Sequence, residues 1–146
     1  MSSQELQSPA QTSTHVIQAA QYILTKFKHN NFDVAIVLGS GLGSFHTVLQ
    51  QKEELSYAQI PYMPQVSVAG HEGKLISGKI NNVSVLCFSG RFHSYEGIPW
   101  THVCFQVQLM SALGIKVLFY SSFFLTKLVV HCYQCYWWIV GRNETR

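Results

Sequence analysis

The stretch VAIVLGSGLGS, residues 34–44, decides the fold class of this 146-residue chain. Its first part, VAIVL (34–38), is a continuous apolar run of strand length, which is typical of a strand buried on both faces of a sheet. The run leads directly into the glycine-rich loop GSGLGS (39–44), and FHTVLQQ (45–51) then predicts a helix. A buried strand that turns through glycines into a helix is typical of an α/β protein.

The alternation of helices and strands continues on both sides of this stretch. The further predicted elements are a helix over 15–29 capped by Ser13 or Thr14, a long ordered loop over 60–73, a β-hairpin of strands 74–80 and 83–89, a helix over 102–113 between Thr101 and Gly114, and a buried strand over 115–121. We therefore expect an α/β fold with a mostly parallel or mixed sheet flanked by helices.

Composition limits the possible functions and locations. Hydrophobic residues make up 47% of the chain, enough for one domain with a core, and the net charge of +3 is too small to predict nucleic-acid binding. Residues 1–14 lack the basic and apolar regions of a signal peptide, so we expect a flexible N-terminus. With four cysteines and no secretory signal, we expect reduced thiols and a cytoplasmic location.

The glycine loop is the first candidate site. Gly39, Gly41 and Gly43 allow backbone amides to approach an anion, and Ser40 adds a hydroxyl donor. Ser44 stands where a dinucleotide-binding fingerprint needs glycine or alanine, and the Gly-Lys-Ser/Thr of a Walker loop is missing. Taken alone, the loop is as compatible with a tight turn that binds no ligand as with a phosphate site.

The second candidate site is GRFHSYEG, residues 90–97, which also follows a predicted strand. Arg91 offers a planar fork of donors for phosphate oxygens, and His93 can add a further hydrogen bond. Tyr95 combines a phenol with an apolar ring suited to a sugar, and Glu96 can orient a histidine or accept from a hydroxyl. For each residue alone, an exposed polar turn is the simpler interpretation. A zinc site is less favoured because His93 and Glu96 have no compact third ligand.

Ligands of α/β sheets collect at the carboxyl ends of strands, where both candidate segments are expected. Together with VLGSGLGSF (37–45), IPYMPQ (60–65) and AGHEGKL (69–75), the turn GRFHSYEG resembles the N-terminal half of the trimeric purine nucleoside phosphorylases. The resemblance implies a phosphorylase/hydrolase-like fold and phosphate-dependent cleavage of purine (deoxy)ribonucleosides to free base and pentose 1-phosphate. It also implies a homotrimer with inorganic phosphate as co-substrate, no other cofactor or metal, and no nucleic-acid or membrane partner.

The resemblance also implies roles for individual residues. Tyr95 would contact the ribose, and Glu96 would be the catalytic residue that holds the phosphate-side network in place. The residues that would bind phosphate are Ser40, His71, Arg91, Phe92 (through its backbone) and His93.

Residues 122–146 depart from that family, whose strand at this point leads into a Thr-Asn-Ala-x-Gly-Gly run. We therefore expect three segments: a flexible N-terminus over 1–14, the N-terminal half of a phosphorylase domain over 15–121, and a divergent apolar tail over 122–146. A sheet truncated in this way would leave an unpaired edge, so the chain alone is expected to be poorly stable and to have little or no activity.

Other interpretations of the chain stay open. It could be a non-catalytic isoform that associates with full-length subunits, or an enzyme similar to methylthioadenosine phosphorylase. The apolar run 117–140 is long enough to span a bilayer, although Lys127 opposes insertion. A nicotinamide-dependent oxidoreductase is disfavoured by the imperfect glycine fingerprint.

Overall fold

The computed structural model describes residues 9–39, 42–65, 73–90, 92 and 100–120. These residues form a mixed five-stranded sheet in the order β2-β3-β4-β1-β5, with two α-helices. The elements are α1 (Pro9–Lys26), β1 (Val34–Leu38), β2 (Gln50–Ser56), β3 (Lys74–Ile80), β4 (Val83–Ser89), α2 (Trp100–Ala112) and β5 (Val117–Tyr120), with two short 3-10 helices at Gly43–Val48 and Tyr57–Gln59. The predicted fold class, a mixed sheet flanked by helices, is confirmed.

Strand β1 lies between β4 and β5 and runs parallel to both. Its apolar residues alternate between two cores. Ala35 and Val37 contribute to the larger core that also contains residues of α1 and α2, whereas Ile36 and Leu38 belong to a smaller core on the other face. The uninterrupted apolar run of β1 therefore reflects burial on both faces, as the sequence predicted.

The predicted hairpin is present with the predicted bounds. Strands β3 and β4 pair antiparallel down to Ile80 and Val83, and Asn81 adopts a left-handed φ of 53° in the turn. Asparagine tolerates this backbone conformation better than most residues, which explains why the Asn81-Asn82 pair suits the turn.

Helix α2 ends where Gly114 was predicted to stop it. The Gly114 amide donates to the Ser111 carbonyl at 2.9 Å, and the Ile115 amide donates to the Met110 carbonyl at 3.1 Å. Gly114 itself has a φ of +74°. These two bonds and the left-handed glycine form a Schellman motif, which directs the chain into β5.

Several element boundaries, and the burial of one strand, differ from the sequence prediction. Helix α1 begins at Pro9, so Ser13 and Thr14 lie inside the helix instead of capping it, and the expected flexible segment over 1–14 is helical from residue 9. Proline suits the first turn of a helix, where its missing N–H would have no partner. The helix predicted over 45–51 is a 3-10 helix that ends at Val48. Strand β5 is partly exposed, with Phe119 38% accessible, so the prediction of a buried strand was wrong there.

Strand β2 was not predicted from the sequence. Its sequence QQKEELS is polar, and only Leu55 is buried, because among the described strands β2 pairs with β3 alone at the sheet margin. A strand with one partner and two largely exposed faces shows no apolar alternation for a sequence pattern to detect.

None of the described helices is long and apolar enough to cross a membrane. The first four residues of the apolar run 117–140 form β5, and the remainder of that run lies outside the described residues, together with the rest of the tail over 122–146.

Candidate functional site

The sheet brings the ends of the motif segments to one edge. Strands β1 and β4 are parallel, and their last residues, Leu38 and Ser89, lie opposite each other. Gly39, which starts the glycine loop, and Gly90, which starts the segment GRFHSYEG, therefore follow adjacent strands at the same edge. This is the arrangement expected for a ligand site at the carboxyl ends of parallel strands.

The third motif, AGHEG (69–73), reaches the same edge from the opposite direction. Strand β3 is antiparallel to β4, and its first residue, Lys74, lies opposite Ser89. Gly73, the last residue of the motif, therefore lies near the carboxyl ends of β1 and β4. Three segments far apart in the sequence converge because the topology combines two parallel strands with one antiparallel neighbour.

Tyr57 connects two of these segments. It follows the end of β2, and its backbone amide donates to the Gly73 carbonyl at 2.8 Å. The hydroxyl at the end of its side chain donates to the Gly90 carbonyl at 3.1 Å. The Tyr57 side chain is fully buried, so both bonds are shielded from water.

Gln106, on α2, completes a buried polar cluster with Tyr57 and Gly90. The Gln106 Nε2 donates to the Gly90 carbonyl at 2.9 Å and to the Tyr57 hydroxyl at 3.2 Å. A carbonyl oxygen only accepts, so the amide must turn its nitrogen towards Gly90. The three groups therefore satisfy one another: the carbonyl accepts twice, the amide nitrogen donates twice, and the hydroxyl does each once.

The electrostatics of the cluster keep Tyr57 neutral. Burial raises the pKa of the Tyr57 phenol far above its ordinary value, and the hydrogen bond from Gln106 opposes this shift only in part. At any physiological pH the phenol therefore keeps its proton and remains a hydrogen-bond donor to Gly90.

Gly90 has a φ of 139°, a backbone conformation that side-chain-bearing residues rarely adopt. Two residues later Phe92 is buried, with its ring centroid 6.2 Å from that of Tyr57. The chain at the start of GRFHSYEG is thus fixed from two directions, by hydrogen bonds at Gly90 and by packing of Phe92.

At the glycine loop, the Leu42 amide donates to the Gly39 carbonyl at 3.1 Å. The bond holds Gly39 and Leu42, which flank the Ser40-Gly41 pair in the sequence, close together. The bond is compatible with both interpretations of the loop, a phosphate site and a ligand-free turn.

Of the residues predicted to form the site, the structure describes only Phe92. Its side chain belongs to the core, which leaves its backbone as the part available for the predicted phosphate contact. The other six predicted site residues lie outside the described residues: Ser40, His71, Arg91, His93, Tyr95 and Glu96. Over the described ranges, no group of three or more His, Cys, Asp or Glu side chains could hold a metal ion.

The sequence analysis did not predict that Tyr57 and Gln106 belong to the site. Gln106 carried only a weak signal, since Gln108, a second glutamine, lies two residues further along the same predicted helix. A buried glutamine needs hydrogen-bond partners, and these can be found only once the fold brings Gly90 beside α2.

Part of the chain is similar in sequence to known proteins. The chain is 37% identical over 109 residues to purine nucleoside phosphorylase 1 of Geobacillus stearothermophilus, a match that covers 75% of this chain and 39% of that protein. It is 40% identical over 85 residues to the purine nucleoside phosphorylase of Bos taurus, covering 58% of this chain and 29% of that protein. Over the matched stretch, the chain is homologous to the purine nucleoside phosphorylases. No protein-family model matches it.

Solved purine nucleoside phosphorylases have the same fold over the shared part. The enzyme of Schistosoma mansoni in complex with acetate superposes with a TM-score of 0.70 at 35% identity, covering 75% of this chain and 40% of that chain. Isoform 2 from the same organism, in complex with cytosine and ribose-1-phosphate, gives a TM-score of 0.68 at 31% identity over 73% of this chain and 37% of that chain. The chain thus spans 29–40% of these relatives, and the predicted resemblance is confirmed.

Proposed function

We propose that this chain carries the phosphate-binding part of a purine nucleoside phosphorylase. The reaction is the phosphate-dependent cleavage of purine (deoxy)ribonucleosides to free base and pentose 1-phosphate. The observation that supports it most strongly is the convergence of Gly39, Gly73 and Gly90 at one sheet edge, because each belongs to a motif whose residue types are suited to binding an anion. The related Schistosoma mansoni isoform, which was solved with ribose-1-phosphate, adds support.

In this proposal the site residues keep the roles that the family motif implies. Tyr95 contacts the ribose, and Glu96 orders the hydrogen-bond network around the phosphate. The proposed phosphate ligands are Ser40, His71, Arg91, the backbone of Phe92, and His93. A guanidinium and two imidazoles supply several donors for the oxygens of a dianion, which is the chemistry that phosphate requires.

The proposed mechanism uses phosphate as the nucleophile. A phosphate oxygen bonds to the anomeric carbon while the glycosidic bond to the purine nitrogen breaks, and the base leaves with that electron pair. The sugar becomes oxocarbenium-like during the transfer, and the bound dianion stabilises the developing positive charge. The protein contributes mainly by holding phosphate in line with the sugar and by providing preorganised donors.

The proposal also includes the location, the oligomeric state and the co-substrate of the enzyme. The enzyme would be a cytoplasmic homotrimer that takes inorganic phosphate as co-substrate and uses no other cofactor. No residue of this chain is assigned to purine recognition, so we expect the 146-residue chain alone to bind phosphate but to show little or no phosphorolysis.

Equilibrium dialysis of the full chain with radiolabelled inorganic phosphate tests the phosphate site. Arg91→Ala is expected to weaken binding by at least about tenfold, because a charge-assisted hydrogen bond contributes about 1.5–3 kcal/mol. The matched control is Lys52→Ala, which removes one positive charge from the exposed surface of β2 and should leave binding unchanged. Absence of binding by the unmodified chain, or equal binding by Arg91→Ala, would overturn the proposal.

Release of free base in the presence of phosphate tests the activity. Inosine, guanosine and methylthioadenosine should be compared, since cleavage of the last would favour a methylthioadenosine phosphorylase. Strong phosphate-dependent release of hypoxanthine from inosine by the purified chain would contradict the expected low activity of the chain alone.

A further inference from the structure

We propose that Tyr57 and Gln106 are positioning residues of the phosphate site, which hold its segments in a fixed relation without touching the ligand. This inference rests on the proposed function, because it names what keeps the proposed phosphate ligands in place. Neither residue belongs to the glycine loop, to AGHEG or to GRFHSYEG.

Tyr57 is suited to this role because its own position is fixed locally. It begins a 3-10 helix closed by a capping box, in which the Ser56 hydroxyl accepts from the Ala58 amide at 3.3 Å and the Gln59 side chain accepts from the Ser56 amide at 3.2 Å. From this capped turn, one bond of Tyr57 reaches the end of AGHEG at Gly73 and another reaches Gly90. The residue sets the distance between two site segments.

Gln106 adds a connection across GRFHSYEG itself. In the sequence, residues 91–99 connect Gly90, which follows β4, with Trp100, where α2 begins. Gln106 lies on that helix and donates to the Gly90 carbonyl at 2.9 Å. One hydrogen bond therefore ties the helix that follows residues 91–99 to the residue that precedes them.

The Gly90 carbonyl is an effective point at which to fix the segment. It belongs to the planar peptide unit that joins Gly90 to Arg91, so two hydrogen bonds to its oxygen hold the plane in which the chain leaves β4. Glycine at φ 139° otherwise has wide backbone freedom. The cluster thus removes freedom at the position just before the proposed phosphate ligands, and such sites need their supporting groups fixed within about 0.5 Å.

The test uses two substitutions, each with a matched control. Tyr57→Phe removes only the hydroxyl, and its control is Tyr22→Phe, a half-buried tyrosine on α1. Gln106→Leu removes the amide, and its control is Gln108→Leu, a half-buried glutamine on the same helix. If Gln106→Leu fails to fold, Tyr57→Phe carries the test, since it deletes a single oxygen atom.

Two measurements on the full chain separate positioning from general stability. Amide hydrogen exchange, followed by mass spectrometry, is expected to speed up about five- to tenfold in peptides covering 90–99 in both variants, while exchange in the hairpin 74–88 stays unchanged. Equilibrium dialysis with inorganic phosphate should show an affinity loss of about the same size. The controls Tyr22→Phe and Gln108→Leu should change neither the exchange rate over 90–99 nor the affinity for phosphate.

The outcomes distinguish this inference from the function on which it rests. If the unmodified chain binds phosphate but the variants bind it equally well, or exchange over 90–99 does not increase, the positioning role is overturned and the proposed function stands. If the unmodified chain binds no phosphate, the proposed function fails, and the role of the cluster in that site fails with it.

Discussion

Asp33 and Ser84 are joined by two hydrogen bonds at the N-terminal ends of β1 and β4. The Asp33 amide donates to the Ser84 carbonyl at 3.0 Å, and the Ser84 amide donates to the Asp33 carboxylate at 2.9 Å. This pair fixes the register of the two parallel strands at one end. The same register places Leu38 opposite Ser89 at the other end, where the glycine loop and GRFHSYEG begin.

Asp33→Ala is expected to lower the free energy of unfolding by about 1 kcal/mol, because the Ser84 amide loses its side-chain acceptor. Asp33 is exposed, which keeps the loss small, since water can replace the carboxylate. Urea denaturation measures the change. Asp33→Asn retains an acceptor oxygen and should stay close to the unmodified chain. Equal losses for Ala and Asn would show that the hydrogen bond does not carry the effect.

Gly78→Ala should destabilise the protein by about 1–3 kcal/mol through overpacking. A Cβ at this position in β3 would lie 2.8 Å from the Leu49 Cβ and 3.1 Å from the Gln50 carbonyl oxygen, so the backbone before β2 would have to move. Thermal unfolding measures the loss. The matched control is Gly43→Ala, where an added Cβ meets no atom within 4 Å. A stability loss at Gly43 as large as that at Gly78 would contradict the steric explanation.

Gly114→Ala should lower the free energy of unfolding by about 1–2 kcal/mol, because it strains the backbone and not because it overpacks the core. No atom lies within 4 Å of an added Cβ, but the φ of +74° is unfavourable for a residue with a side chain. Gly114→Asn should recover part of the loss, because asparagine tolerates left-handed backbone better than alanine. Denaturant unfolding of the two variants makes the comparison, and an alanine variant as stable as the unmodified chain would count against the strain.

Stability should fall as pH rises from about 9 to about 12. Burial raises the pKa of the Cys87 thiol from 9.0 to about 12, so the unfolded chain loses this proton at a lower pH than the folded chain does. The contribution of Cys87 is complete below pH 9 and is lost towards pH 12, with a slope of at most about 1.4 kcal/mol per pH unit. Urea midpoints measured across this range show the slope.

Cys87→Ala is the variant that isolates this effect. It should be less stable at neutral pH because it empties part of the smaller core, yet its stability should decline less steeply above pH 9. The remaining decline would include Tyr57, whose raised pKa acts in the same direction. An unchanged slope in Cys87→Ala would contradict the assignment.

Elements with strong local signals could be predicted from the sequence. The β3–β4 hairpin has the predicted bounds because two β-rich runs flank an Asn-Asn turn, and α2 stops at the predicted glycine. Strand β2 could not be predicted, because its conformation comes from pairing with β3 and not from its own polar residues. Its left-handed Gln51, in a strand with irregular register, belongs to no simple strand pattern.

The candidate site, too, could be predicted from the sequence only in part. That both motifs would follow strands could be predicted from the apolar runs before them, whereas the adjacency of β1 and β4 appears only in the order of the sheet. The roles of Tyr57 and Gln106 could not be predicted, because their partners are 33 and 16 residues away from them in the sequence. Long-range hydrogen bonds leave no periodic signal in a single sequence.

The parallel pairing of β1 with β4 also constrains the order of folding. Asp33 and Ser84 are 51 residues apart, whereas β3 and β4 are joined by a two-residue turn. Closing the longer loop costs more chain entropy, so we expect the hairpin to form first and the parallel pairing to follow. The three glycines at the sheet edge then meet only near the end of folding. Phosphate would consequently find no site to bind in the transition state, and it should slow the unfolding of the chain without accelerating its folding.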